Sequence, residues 1–342
     1  MTTADLLAAA IMISLNMWMV LAGADFGGGV WDLLAGGPRK QRQRDLIADA
    51  IAPIWEANHV WLVLAVVLLF SCFPPVFAAL SIQLHIPLTL VLIGIVMRGS
   101  AFVFRSYDTK GGDVQRRWGR MFSISSLLTP LLLGVTIGAI ASGSIGHRRW
   151  PADTGFADRY LSPWLTPFTL GVGAMALSLV AFLAAVYLTV EAEKEPELAG
   201  DFRRRAFGAA AAVFVTAFAT LAFTPGFAPD VATLLVQSPA AWLMHSIVGA
   251  SALLALRALW ARRYRLARAA AVAQVTVIFW GWGLAQYPNL IPPDFSVAGS
   301  AAPPTTLRLI LIALVAGVLL IVPAFLYLFR VFKGGLFRRE GN

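Results

Sequence analysis

From residue 5 onward the chain alternates long apolar runs with short polar interruptions. A helix needs about 20 predominantly apolar residues to cross a bilayer. Nine runs meet that length, at roughly 5–35, 46–72, 76–104, 117–142, 163–190, 204–225, 239–261, 265–288 and 307–330. The interruptions carry glycine, proline and charge, as in "GGPRKQRQR", "FPP", "EAEKEPELAGDFRRR" and "PNLIPPDFSVAGSAAPPTT". This pattern predicts an all-α integral membrane protein with nine transmembrane helices, a single polytopic domain over 1–342. Nine spans would suit two four-helix bundles plus one extra helix, although no internal repeat is visible.

Composition agrees with that reading. Of 342 residues, 58% are apolar and 13% charged, and the mean hydropathy of +0.74 lies far from that of a soluble domain. The one cysteine, Cys72, excludes internal disulfides and multi-cysteine metal centres, leaving helix packing as its simplest role. The opening "MTTADLLAAAIMISLNMWMV" lacks a basic leader and a small-residue cleavage site, so it is expected to be a retained span.

A net charge of +9 raises nucleic acid as a partner, but that needs a basic face on a soluble domain. Here Lys and Arg collect in alternate loops. The connections after the first, third, fifth and seventh spans and the C-terminal tail hold four, five, four, four and four of them. Those after the second, sixth and eighth hold none, and the one after the fourth holds three. Positive charge concentrates on the cytoplasmic side. The N-terminus is therefore expected outside and the C-terminus in the cytoplasm, with no nucleic-acid role.

Polar groups inside apolar runs are expensive and by default mark a site. "IAPIWEANHVW" places Glu56, Asn58 and His59 together in the second run. A continuous helix from Asp45 would put Glu56 roughly 16 Å deep, at about 1.5 Å per residue, and Asp25 in the first run reaches a similar depth. Asp49, Glu56 and His59 would share one helical face, with Asp45 at its mouth, as a proton relay requires. The plainer reading is that Glu56 and His59 bond to neighbouring helices and that Asp25 caps a helix broken by "GADFGGGVWD". Pro53 removes a backbone donor and suits a hydrated half-channel. Arg98 is either a snorkelling cation near the inner end of the third span or a counter-ion for Asp25 or Glu56. Trp55 and Trp61 read first as aromatic packing. The four histidines, His59, His85, His147 and His245, form no evident pair at one depth, so no haem is expected on this chain alone. A proton-coupled transporter, using Asp25, Glu56 and Arg98 as a substrate site between glycine-broken helices, is the rival.

"GADFGGGVWDLL" at 23–34, "IAPIWEANHVWL" at 51–62, "FP" at 73–74, "RGSAFVFR" at 98–105 and "WGLAQYP" at 282–288 together resemble subunit II of the cytochrome bd quinol oxidase family. The resemblance runs the length of the chain. It implies a subunit of a bacterial cytoplasmic-membrane terminal oxidase that reduces oxygen to water with electrons from ubiquinol or menaquinol. It implies haems b and d in the partner, subunit I, and none here, and leaves open a small single-span subunit and a quinone or lipid bound to this chain. By motif position Glu56 matches the acidic residue of the family's cytoplasmic proton channel, Asp25 matches the acidic residue of its first-span motif, and Trp61 matches a tryptophan on its oxygen route. At the position of His59 some relatives carry Gln. The short external loops and "WGLAQYP" resemble the cyanide-insensitive branch.

Overall fold

Threonine and proline mark many of the helix starts. The computed structural model describes residues 2–52, 55–107, 113–146, 153–237 and 239–333. Thr2 exchanges hydrogen bonds with Asp5 to cap the first helix, and Thr166 does the same with Thr169. Pro74, Pro167 and Pro196 each open a helix, where the missing N–H costs nothing.

The elements are α1 (Thr3–Leu33), α2 (Lys40–Ile51), α3 (Trp55–Cys72), α4 (Pro74–Gln83), α5 (His85–Tyr107), α6 (Asp113–Ala141), α7 (Phe156–Tyr160), α8 (Pro167–Glu191), α9 (Pro196–Phe227), α10 (Pro229–Gln237), α11 (Pro239–Trp260), α12 (Tyr264–Gln286), β1 (Asn289–Ile291), β2 (Phe295–Ser296) and α13 (Pro304–Lys333). Among the described residues nine helices are long and apolar enough to cross a membrane: α1, α3, α5, α6, α8, α9, α11, α12 and α13.

Two of the expected spans are shorter than the sequence suggested. The run at 46–72 divides into the polar helix α2 and the span Trp55–Cys72; Pro53, and with it the expected backbone gap, lies outside the described residues. The run at 76–104 divides into α4 and a span beginning at His85. Pro87 explains the second break, because its ring clashes with the carbonyl four residues back and offers no N–H. A hydropathy window averages across such breaks.

α1 is the hub, packing against α3, α6, α8, α12 and α13. Its glycine stretch does not break it: the helix runs unbroken from Thr3 to Leu33, which removes the reading of Asp25 as the cap of a broken helix. The glycines instead bring other helices close, as small residues do in membranes. A Cβ on Gly27 would lie 2.0 Å from the Val180 carbonyl oxygen of α8, one on Gly28 would meet Ile51 of α2 at 2.9 Å, and one on Gly29 would meet the Ser126 hydroxyl of α6 at 2.2 Å. Gly27→Ala is therefore expected to destabilise the chain by about 3 kcal/mol, as overpacking against backbone does. Gly208→Ala, where nothing lies within 4 Å, is expected to be neutral or stabilising. Thermal unfolding of both variants in detergent compares them.

Two structured ends close the bundle. At one, Arg39 donates to both carboxylate oxygens of Asp201, each at 2.8 Å, and Gln43 and Arg204 donate to the same group at 3.0 and 2.7 Å. Arg42 binds Glu195, whose carboxyl it holds below the usual carboxylate range. At the other end the antiparallel pair β1–β2 lies in the α12–α13 connection, and Ala302 N–H donates to the Cys72 carbonyl at 2.8 Å. Cys72 is fully buried. α13 lies at the edge of the bundle, against α1 and α3, with no part of its apolar window buried.

Candidate functional site

Four helices meet around one buried acidic and one buried basic side chain inside the bundle. Asp25 of α1 is 5% exposed and Arg98 of α5 is 1% exposed. Asn58 of α3, fully buried, donates Nδ2–H to Asp25 Oδ2 at 2.7 Å. The guanidinium of Arg98 lies 4.6 Å from the ring centre of Phe26 and 5.2 Å from that of Phe122, and its Nε donates to Ser126 Oγ at 3.2 Å. The charge of Asp25 acts directly on it. Arg98 is thus enclosed and does not snorkel. Buried opposite charges are tolerated where each is hydrogen-bonded, as Asp25 is by Asn58 and Arg98 by Ser126. Arg98 Nη2 and Asn58 Oδ1 keep unused hydrogen-bonding capacity among the described residues, the condition under which a buried site holds water.

His59 stands beside this pair. Its Nδ1 accepts a hydrogen bond from Trp18 Nε1 at 3.4 Å, which calls for the neutral ring with its proton on Nε2. Phe26 and Trp55 meet its ring edge to face at 6.0 and 6.3 Å. His85 and His245, on α5 and α11, make ring contacts with Tyr160 and Trp242 instead; His147 lies outside the described residues. Among the described residues no group of three or more His, Cys, Asp or Glu side chains could hold a metal ion.

Glu56 is placed differently from the sequence expectation. It sits in the first turn of α3 rather than a third of the way along one long helix, and it is exposed. Two residues separate it from Asn58, about 200° of helical rotation, so one side chain faces inward and the other outward. Asp45 and Asp49 belong to α2 and are exposed; Gln41 donates to Asp45 at 3.0 Å, and Asp49 acts on Arg42. The continuous face of Asp49, Glu56 and His59 assumed an unbroken helix, and the described residues divide it between α2 and α3. Trp61 is half-buried, packs on the Trp18–Ala22–Phe26 cluster and meets Phe325 of α13 at 5.5 Å, with its Nε1 buried and unbonded among the described residues.

Two buried carboxylates were missed: Asp201 at the basic end of the bundle, 8% exposed, and Asp32. Asp32, 1% exposed, accepts from Arg105 Nη1 and Ser123 Oγ, each at 3.0 Å, while Arg44 donates to its carbonyl at 3.3 Å. The signal was present: Asp32 falls seven residues after Asp25, two helical turns along the same face.

Fold and site together define a polytopic α-helical membrane protein with a buried carboxyl and a buried guanidinium enclosed by its first four spans. The model of the cytochrome bd terminal oxidase subunit II family matches residues 3–332, and the chain belongs to that family. It is 28% identical over 191 residues to cytochrome bd-I ubiquinol oxidase subunit 2 of Escherichia coli strain K12, a match covering 52% of this chain and 46% of that one, so it spans about half the length of that relative. It is 24% identical over 327 residues to a putative cytochrome bd menaquinol oxidase subunit II of Bacillus subtilis strain 168, covering 92% and 91%. In fold it is similar to a chain of the bd oxidase from Geobacillus thermodenitrificans, with a TM-score of 0.77 at 20% identity, covering 99% and 100%. The transporter reading loses its main support, since the glycine-rich stretch of α1 is not broken.

Proposed function

We propose that this chain is the haem-free subunit of a quinol oxidase in the bacterial cytoplasmic membrane, with its N-terminus outside and its C-terminus in the cytoplasm, and that it feeds protons to a haem-bearing partner. The observation that carries this is Glu56. It lies on a stripe of α3 with exposed Val60, Val63, Val67 and Phe70. A carboxylate on a lipid-facing stripe is disfavoured by about 2.5–3.5 kcal/mol on insertion scales, whereas a partner subunit covering the stripe would shield it and supply polar groups.

In this reading Asp45 and Asp49 gather protons at the cytoplasmic mouth and Glu56 passes them across the subunit contact. His59 and the Asp25–Asn58 pair hold water and orient it beside that path, and Arg98 serves as the counter-ion of Asp25. General acid–base transfer needs groups that both accept and release a proton, which carboxylates at a wet contact do. Haems b and d, bound by the partner, supply the four-electron reduction of oxygen to water. Oxygen is apolar and reaches the complex through the hydrocarbon, with Trp61 at the α3–α13 seam on its route. The spans form two groups of four in this reading, α1, α3, α5, α6 and α8, α9, α11, α12, joined where α8 packs on α1 and α6, with α13 at the edge. The relatives' names include both ubiquinol and menaquinol oxidases, and the short loops favour the cyanide-insensitive branch. A small single-span subunit fits against α13.

The test is a reduced-minus-oxidised visible spectrum of the chain purified alone and with the membrane protein encoded beside it. Haem bands only in the joint sample, with quinol-driven oxygen uptake, are expected. Haem in the chain alone, or no haem and no uptake in either sample, would overturn the assignment.

A further inference from the structure

At the basic end of the bundle three separate pieces of chain enclose a pocket of about 420 Å³. Arg39 comes from the α1–α2 connection, Glu197, Arg203 and Arg204 from the first turns of α9, and Arg262 and Tyr264 from the α11–α12 turn. Four arginines thus face one glutamate. Arg39 and Arg204 are pinned by Asp201, and Arg39 also holds Glu197 at 2.8 Å, so the acidic wall is already neutralised. Arg203 and Arg262 are paired with no carboxylate among the described residues. The pocket therefore presents two free guanidinium groups on a fixed frame.

The backbone at Arg262 adds a second observation. Its φ is +56°, the left-handed conformation that ends many helices and that glycine adopts without strain. Arg262 N–H bonds to the Leu259 carbonyl and Arg263 N–H to that of Ala258, the hydrogen bonds of such a helix end. A large side chain at this position is unfavourable for the turn, and its guanidinium lines the pocket. A third observation is the surface leading there. Leu253, Leu254 and Trp260 of α11 are exposed, Trp260 by 76%, giving an apolar track that the exposed Arg257 on the same face interrupts before Trp260, two residues short of Arg262. Tryptophan at the edge of an apolar span suits the headgroup level of a bilayer.

We infer that this pocket binds the phosphate of an anionic phospholipid of the cytoplasmic leaflet, with Arg203 and Arg262 on the headgroup and acyl chains along Leu253, Leu254 and Trp260. Basic pockets between membrane helices on this side recognise such headgroups. A free phosphate would use the same arginines, but the apolar track favours the lipid. The inference rests on insertion in a bilayer with this end in the cytoplasm and is independent of the oxidase reading.

The test uses the full-length chain in mild detergent, with and without its partner, titrated with phosphatidylglycerol or phosphatidylcholine of matched acyl chains under native mass spectrometry. Separate arms add millimolar inorganic phosphate. The pair Arg203→Gln and Arg262→Gly is expected to weaken phosphatidylglycerol binding about tenfold or more and leave phosphatidylcholine binding unchanged. Arg262→Gly alone should leave the unfolding temperature equal or higher, because glycine relieves the turn, so lost binding does not reflect lost folding. Phosphatidylglycerol held equally by the double variant, or both lipids lost together, would overturn the site. Inorganic phosphate binding at that pocket as tightly as the lipid would overturn the lipid as its occupant.

Discussion

Glu56→Gln is expected to reduce quinol-driven oxygen uptake at least tenfold in a complex that still assembles with full haem content, while Glu56→Asp retains most activity. Glutamine keeps the size of the side chain and removes its ability to carry a proton, and positioned acid–base groups contribute factors of about 10²–10⁴. Assembly should survive because Glu56 is exposed on α3 and makes no hydrogen bond or ion pair among the described residues. Oxygen-electrode rates normalised to haem absorbance measure the effect. An assembled Gln variant with wild-type turnover would remove Glu56 from the proton path and return it to a packing role at the contact.

The second large effect is expected at the enclosed charges of Asp25 and Arg98. Asp25→Asn should leave Arg98 charged, 1% exposed and without its counter-charge, at a cost of about 3 kcal/mol or more. The prediction is lower thermal stability of the chain in detergent and reduced recovery of assembled complex. Asn58 loses its charge-assisted acceptor in the same variant, which adds to the loss. Adding Arg98→Met to Asp25→Asn should recover part of the stability, because the remaining buried charge is then gone and an apolar side chain lies between Phe26 and Phe122. A double-mutant cycle by thermal unfolding isolates the coupling. A cycle with no coupling energy would mean that Asp25 and Arg98 are not a unit, and the counter-ion role assigned to Arg98 would fail.

These two sites differ in how readable they were. Asp25, Glu56, Asn58 and Arg98 all stand out as polar residues in apolar runs, and the motifs around them carry the family resemblance. Their relationships did not stand out. Arg98 had two options for a counter-ion, and the packing of α5 against α6, with Phe26 and Phe122 flanking the guanidinium, brings it to Asp25. Asp32 shares the signal of Asp25, a carboxylate on the same face of the same helix, but at the helix end its cost is lower and it draws less attention. Its partners Arg44 and Arg105 come from 12 and 73 residues away, a pairing that only the assembled helices create.

By itself the sequence determined the nine spans and the family, because a bilayer demands long apolar helices and tolerates polar residues inside them only at particular places. It also located the basic loops from which orientation is argued. Only the tertiary structure decided which way each polar group faces, since lipid is as apolar as leucine and a span such as α3 is apolar on both its buried and its exposed sides. That is why Glu56 was expected deep within a continuous helix and instead lies exposed in the first turn of α3. It is also why Gly27, Gly28 and Gly29, suggestive of a break in one dimension, prove to be points where residues of α8, α2 and α6 lie against α1.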